Sequence, residues 1–449
     1  MSMNLKDSLD DRLTDFDDED SPLGFRHRSV QHYVYDAVAE QMQQRLGDGY
    51  RPQPQFYQAG DPGIVPFYAL GHIISLLASW ARRRLLVSQA APSFELGEVL
   101  EDLDVQIPTY LTRILESRDA RRAVVALQGR DAHSFLDAVQ DVLDRGSLPD
   151  AKYNAMARRL RRKLVEARDQ LPAALFISGV SDPDQHPTFR GGFGDVYRAS
   201  FAGKRVALKR IRTFTADSTA NQIRLKFCRE ALVWQGLRHR FILPLLGIDR
   251  HTFKPSFCMV SPWMKYGTVL KYLADRGRGD VSRLLHEIAQ GLDYLHSMNI
   301  VHGDLRGTNI LISDDHSARL SDFGLTSTIG DGAEDTTAGA LTSSNHAGSV
   351  RWFAPELIHP TAFGCQRFAR TRETDVYAFG CVCLELHTGS PPFADVTPDT
   401  AAMFKVIQGD RPQRPVNMTD TVWDLVAAAW ASDFRLRPKV PEIIRTFGS

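Results

Sequence analysis

Between Ile300 and Leu325 the chain reads IVHGDLRGTNILISDDHSARLSDFGL. Asp304 and Asp322 lie 18 residues apart, with Asn309 between them. That spacing puts a proton acceptor and two oxygen donors for a divalent cation on two adjacent hairpin-like loops. Any fold of this chain must bring those loops together. Chemistry that is mostly positioning plus neutralisation of phosphate charge needs that set of side chains.

At 449 residues the chain has room for two or three domains of about 150 residues each. Hydrophobic residues make up 43% and charged residues 24%, ordinary for a soluble globular protein. Lys plus Arg and Asp plus Glu both number 54, so bulk charge does not draw the chain toward nucleic acid or a membrane. Cys228, Cys258, Cys365, Cys381 and Cys383 fit no zinc or disulfide framework. They read as free thiols of a reducing compartment. The acidic N-terminus lacks the apolar core of a signal peptide, so a cytoplasmic location is expected, with the nucleus as the alternative. Val65 to Ala81 is apolar and followed by Arg82, Arg83 and Arg84, but it is short for a membrane span. Its Gly71, His72, Ser75 and Ser79 favour a buried helix.

Residues 1–24 are rich in Asp and read as a disordered acidic tail. Residues 25–180 read as an all-α region. A helix is expected over His32 to Leu46, then a Pro- and Gln-rich connector around Arg51 to Pro62, and a further helix start near Ser93. Phe135, Val139, Val142 and Leu143 repeat at helical spacing and predict a helix over Asp131 to Arg145. Ser134, near His133 and Asp131, marks a helix start rather than a triad. Pro149-Asp150 opens a long helix with Tyr153, Met156, Leu160 and Leu164 on one side, ending before Pro172. Its Arg158, Arg159, Arg161, Arg162 and Lys163 read as a solvated face rather than a phosphate-binding or nuclear-import patch. Nothing here looks catalytic, and binding of a protein partner is the role left to it. The apolar run Ala174 to Val180 is expected to pack against the region that follows. From Phe189 on, short β runs with Gly turns give way to long amphipathic helices. Residues 181–449 therefore read as a small β-rich lobe followed by a larger helical one.

Several motifs stand in order along that second region. Gly191-Gly192-Phe193-Gly194-Asp195-Val196 is a Gly-rich turn, where backbone amides can approach phosphates with no Cβ in the way. Val206-Ala207-Leu208-Lys209 follows, its Lys 15 residues after Gly194. An ammonium buried among apolar strand residues requires a partner, and Glu230, in the helical run Leu225 to Gly236, supplies one. Cys258-Met259-Val260-Ser261 leads into Pro262-Trp263-Met264. Past the segment at 300–325 come Gly348 to Glu356 (GSVRWFAPE), Asp375 to Gly380 (DVYAFG) and Arg437-Pro438.

In this combination the chain resembles the protein kinase family over roughly residues 185 to 449. Its mix of motifs resembles the tyrosine-kinase-like group, and residues 112 to 210 resemble fungal expansions of that group. The resemblance implies an α+β, two-lobed kinase fold after an all-α N-terminal region, with ATP and Mg2+ as cofactors and a protein substrate. It implies that Gly191, Gly192, Phe193 and Gly194 cover the phosphates. Lys209 would contact the α- and β-phosphates and pair with Glu230. Val196, Ala207 and Leu311 would sandwich the adenine, Ser261 would leave a pocket behind it, and Met264 backbone groups would bind it. Asp304 would accept or orient the substrate hydroxyl proton. Asn309 and Asp322 would hold magnesium. Arg306 stands where serine/threonine kinases usually carry Lys, and offers the transferring phosphate a planar fork. Glu356 with Arg437, and Asp375 beneath the catalytic loop, would be scaffold.

Two positions depart from the family pattern. Phe189 stands where the first Gly of the loop belongs, and Gly303 stands where most kinases carry Arg. In kinases with that Arg, its guanidinium binds a phosphate on the activation segment. Its absence implies that phosphorylation of Ser327, Thr328, Thr336, Thr337, Thr342, Ser343 or Ser344 is not required to order the catalytic loop. Arg306 and Arg351-Trp352 also occur in tyrosine kinases, whereas Gly348-Ser349 fits serine/threonine kinases. Transfer to Ser and Thr is expected. Tyrosine or dual specificity, and a pseudokinase scaffold acting through the N-terminal helices, are the alternatives.

Overall fold

A computed structural model describes residues 108–109, 111–191, 194–210, 217–323, 327–328 and 349–448. The acidic tail over 1–24, the helices expected at 32–46 and near Ser93, the connector at 51–62 and the apolar stretch 65–81 lie outside those residues. The chain divides into two compact units between Ala174 and Leu175.

The first unit includes α1 (Arg118–Ala126), α2 (Gly129–Arg145) and α3 (Ala151–Arg168), and residues 111–116 before them are also helical. Ser117 caps α1 by accepting from the Ala120 amide, and Asp150 caps α3 by accepting from the Tyr153 amide. The residues expected at a helix start near Ser134 lie inside α2. Helix α3 packs against α1 and α2. Its buried residues are Ala157, Leu160, Arg161, Leu164 and Val165, which recur at i, i+3, i+4, i+7 and i+8. The basic run is therefore not one solvated face. Arg159 and Lys163 are exposed, but Arg161 falls on the apolar phase and is only 4% exposed, donating to Gln140 Oε1. Arg168 closes α1 by donating to the Val125 and Ala126 carbonyls.

The second unit opens with strands: β1 (Phe176–Ile177), β2 (Val180–Ser181), β3 (Phe189–Gly191), β4 (Gly194–Phe201) and β5 (Lys204–Arg210). After α4 (Asp217–Gln235) come β6 (Gly247–Asp249) and β7 (Cys258–Pro262). The sheet order is β1-β6-β7-β5-β4-β2, with β3 also on β4. Every pairing is antiparallel except β1 with β6. The boundary expected after residue 180 thus falls earlier, because Phe176–Ile177 and Val180–Ser181 are themselves strands of this sheet. Alternation along β4 and β5 buries Tyr197, Ala199, Val206 and Leu208 with Cys258 and Val260 on one face.

The helical lobe contains α5 (Val269–Arg276), α6 (Val281–Ser297), α7 (Pro355–Ile358), α8 (Arg372–Thr388), α9 (Asp399–Gln408), α10 (Asp420–Ala429) and α11 (Val440–Phe447). Four short strands belong with it: β8 (Ile300–Val301), β9 (Ile310–Ile312), β10 (Ala318–Leu320) and β11 (Ser327–Thr328). Leu284, Leu285, Ile288, Leu292 and Leu295 of α6 are wholly buried, each worth about 1.5–3 kcal/mol of apolar transfer. Helix α8 is buried from Thr374 to Leu386, as its nearly unbroken apolar run requires. Strands β9 and β10 form an antiparallel pair, and β8 pairs with β11. Asp304 and Asn309 lie before that hairpin and Asp322 after it. Among the described residues no helix is long and apolar enough to cross a membrane.

Candidate active site

Strand periodicity sets one side of the site. Val196 faces Lys209 across the β4–β5 register, while Ala207 faces Ser261 and Lys209 faces Met259 across β5–β7. Directly paired residues share a face. Val196, Ala207, Lys209 and Ser261 therefore lie together, opposite the face that buries Tyr197 and Leu208. Gly191 and Gly194 stand opposite each other at the end of β3 and β4. Gly192 and Phe193, expected between them, lie outside the described residues. Phe189 is half exposed and stacks on Trp263 at 6.3 Å.

Ser261 is buried at the end of β7. Past it, the Trp263 amide donates to the Arg205 carbonyl, and the Met264 carbonyl accepts from Gly267. Leu311 of β9 bridges to Thr268, the residue that caps α5, which places Leu311 beneath this turn.

Helix α4 starts at Asp217, eight residues before the expected Leu225, and carries Glu230 inward. Lys209 Nζ lies 2.7 Å from Glu230 Oε1 and 2.8 Å from Asp322 Oδ1. Burial alone would lower the Lys209 pKa, but the two carboxylates outweigh it and hold the ammonium protonated well above its usual range. Burial pushes the Glu230 carboxyl up, against the pull of Lys209. Asp322 adopts a left-handed backbone at φ 64°, uncommon for a residue with a side chain and typical of strain held at functional sites. Phe323 beside it is buried, with Trp234 of α4 at 5.8 Å and His302 at 5.7 Å. The third residue of that motif, Gly324, lies outside the described residues.

Asp304 is buried, and the Asn309 amide nitrogen donates at 2.8 Å to both its carbonyl and its Oδ2. Arg306 Nε lies 3.5 Å from Asp304 Oδ2, and its guanidinium sits over the Trp352 ring at 6.0 Å. Burial raises the Asp304 pKa above the ordinary carboxylate value; Arg306 pulls it down and Asp322 pushes it further up. A carboxylate so placed is a stronger base than one in water.

The scaffold pairs are also present. Arg437 and Glu356 form a bidentate buried pair at 2.6 and 2.8 Å. Asp375 accepts from the His302 and Gly303 amides at 2.8 and 2.9 Å. Sequence reasoning missed three neighbours. Buried Glu385 accepts from the Gly307 amide at 2.8 Å and from the Trp352 indole at 3.1 Å, tying the loop of Asp304 to the segment at 349–353. A Cβ on Gly307 would come within 2.8 Å of Leu270 and 3.0 Å of Glu385, so a side chain there would force those neighbours to shift. A lone carboxylate inside the apolar run of α8 was a signal that it needed donors. Arg370 donates to the Gly303 carbonyl at 3.0 Å, and Arg210 pairs with Asp195 at 3.3 Å.

Asn309 and Asp322 offer hard oxygen donors, which suits Mg2+ with phosphate and water completing its shell. With its nitrogen directed at Asp304, the Asn309 side chain has its carbonyl oxygen left for a cation. Among the described residues no group of three or more His, Cys, Asp and Glu is arranged as a metal site of its own.

Residues 188–447 match the profile of a family described as protein tyrosine and serine/threonine kinase, more than half of the chain. The serine/threonine-protein kinase STY46 of Arabidopsis thaliana is 29% identical over 263 residues, 58% of this chain and 42% of the relative. The serine/threonine/tyrosine-protein kinase HT1 of Arabidopsis thaliana is 28% identical over 260 residues, 57% of this chain and 62% of HT1. The tyrosine-protein kinase transforming protein Abl of Abelson murine leukemia virus is 28% identical over 274 residues, 59% of this chain and 33% of the relative. The chain thus spans less than two thirds of the length of each of these relatives, whose names include both hydroxyl classes.

Proposed function

This chain belongs to the protein tyrosine and serine/threonine kinase family, and we propose that it transfers the γ-phosphate of ATP to Ser and Thr hydroxyls of protein substrates. The observation that carries the reading is the convergence of Glu230 and Asp322 on Lys209. In kinases the lysine–glutamate pair and the metal-binding aspartate must both be in place for transfer. Lys209, kept charged, holds the α- and β-phosphates. Asn309 and Asp322 would hold magnesium, which would neutralise phosphate charge when bound. Asp304, oriented by Asn309, takes the proton of the attacking hydroxyl, and Arg306 offers positive charge beside it.

Ser349, buried at the substrate end of the segment, supports the Ser/Thr assignment. Arg306 beside Trp352 supports the tyrosine reading, as do relatives named for tyrosine. Autophosphorylation with ATP and magnesium, mapped residue by residue, tests both. Phosphoserine and phosphothreonine are expected, with none in Asp322→Asn. Phosphotyrosine alone would reverse the specificity, and no turnover across divalent cations would reject the enzyme reading. For the N-terminal unit we propose partner recruitment. Removing residues 1–170 should leave turnover of a generic peptide intact. The five free thiols support a cytoplasmic or nuclear setting.

A further inference from the structure

We propose that Arg370 is the positioning residue for Asp304, supplying from outside the catalytic loop the hold that no side chain at position 303 can give. Gly303 sits at φ 77°, in the left-handed region that favours glycine. The His302 and Gly303 amides are fixed on the two oxygens of Asp375. The next peptide unit, between Gly303 and Asp304, carries the reacting carboxylate. Its N–H reaches His302 Nδ1 only at 3.3 Å. Its carbonyl accepts from Arg370 Nε at 3.0 Å, a charge-assisted bond across 67 residues of chain.

Arg370 is itself confined. It is 7% exposed, its guanidinium lies over the Phe368 ring at 5.1 Å, and Phe368 in turn meets Phe353 at 6.5 Å. Rotating the 303–304 peptide therefore breaks the bond to a cation that cannot follow. That rotation moves the Cα of Asp304, and displacement of a catalytic group by about 1 Å costs roughly 10²-fold in rate. Arg370 and Asp375 both come from the short stretch that enters α8. One stretch thus grips the loop by two amides and one carbonyl. The sequence reading took Gly303 to leave this point without a guanidinium; Arg370 brings one to its backbone.

The inference rests on the phosphoryl-transfer reading, and its test separates the two. In the full-length chain, Arg370→Lys and Arg370→Gln are compared with wild type for kcat, KM for ATP, melting temperature and amide exchange over residues 302–305. Lysine keeps a charge but lacks the Nε–H. Both variants should lose roughly ten- to a hundredfold in kcat. KM for ATP should stay unchanged and the melting temperature within about 2–4 °C. Exchange over 302–305 should rise at least about tenfold in Arg370→Gln, since that bond no longer protects the loop. Wild-type kcat in both variants would overturn the inference, as would a kcat loss matched by equal losses of ATP affinity and melting temperature. Should wild type itself transfer no phosphate, the kinase reading fails. Amide exchange then decides this one alone, and unchanged exchange rejects it.

Discussion

Each unit of the molecule buries a cation, and the two are treated differently. In the catalytic unit Lys209 lies between two carboxylates, which hold it protonated against the cost of burial. In the helical unit Arg161 donates to the neutral amide of Gln140. There burial, with Arg158 adding repulsion and Asp144 opposing both, pushes the guanidinium down to about 10. The first arrangement keeps the cation charged at the proposed phosphate site. The second sets a charge on the buried phase of a helix, beside Ala157, Leu160 and Leu164. The difference separates a site from a scaffold better than burial alone does.

The largest expected effect comes from removing the first cation. Lys209→Met should lower kcat by about 10²–10³-fold, the usual loss when one preorganised electrostatic group is deleted. It also leaves Glu230 and Asp322 without their shared donor, which should cost the fold about 1–3 kcal/mol. Steady-state kinetics and a chemical melt check both. A variant with near-normal kcat would put the site's charge elsewhere and break the comparison.

Next is pH. Burial first, then Asp322, raises the Asp304 pKa, while Arg306 opposes it. On the proposed mechanism Asp304 would act as base only when ionised, so kcat should fall about tenfold per pH unit below that raised value, at a higher pH than for a solvated carboxylate of about 3.9. Stability should show the opposite slope. A carboxyl whose folded pKa exceeds its unfolded one stabilises the fold below the unfolded value, and that contribution is lost as pH rises through the folded value. Asp304→Asn should remove both slopes together. An acid limb that survives the substitution would assign it to another group.

Glu230→Gln should have a smaller effect. Asp322 still neutralises Lys209, so the loss is a weakened hold on the ammonium, about tenfold in kcat, with rising KM for ATP as the readout. A loss as large as that of Lys209→Met would mean that Glu230, not Asp322, fixes the cation.

What the sequence shows of this site is what local order shows. Lys209 and Glu230 are 21 residues apart and Asp304 and Asn309 five, within motifs whose spacing carries meaning. The α+β, two-lobed architecture follows from short alternating runs succeeded by long amphipathic ones. Glu385 on Gly307 spans 78 residues and Arg370 on Gly303 spans 67, and no periodicity encodes such contacts. Strands β1 and β2 are two residues each, too short to leave a pattern, which is why the unit boundary fell too late. Arg161 is a different case. Its burial was legible, because it shares the helical phase of Ala157, Leu160 and Leu164; reading the basic residues as one run hid it.

Arg161 also gives the smallest effect and the sharpest control. Its folded pKa lies below the unfolded one, so above about 10 the unfolded chain binds more protons and stability rises with pH until both states have lost the proton. Below about 10 both states are charged, and the full cost of burying the cation is present at neutral pH. Arg161→Met removes that cost but leaves Gln140 Oε1 without this donor, a penalty of about 1–3 kcal/mol. Gln140 still donates to Asp144 at 3.0 Å. The two effects oppose each other, so the melting temperature of the full-length chain should change by no more than about 2–4 °C, and kcat not at all. A drop of several kcal/mol would show that Arg161 is held by charge as Lys209 is, and the distinction between the two buried cations would fail.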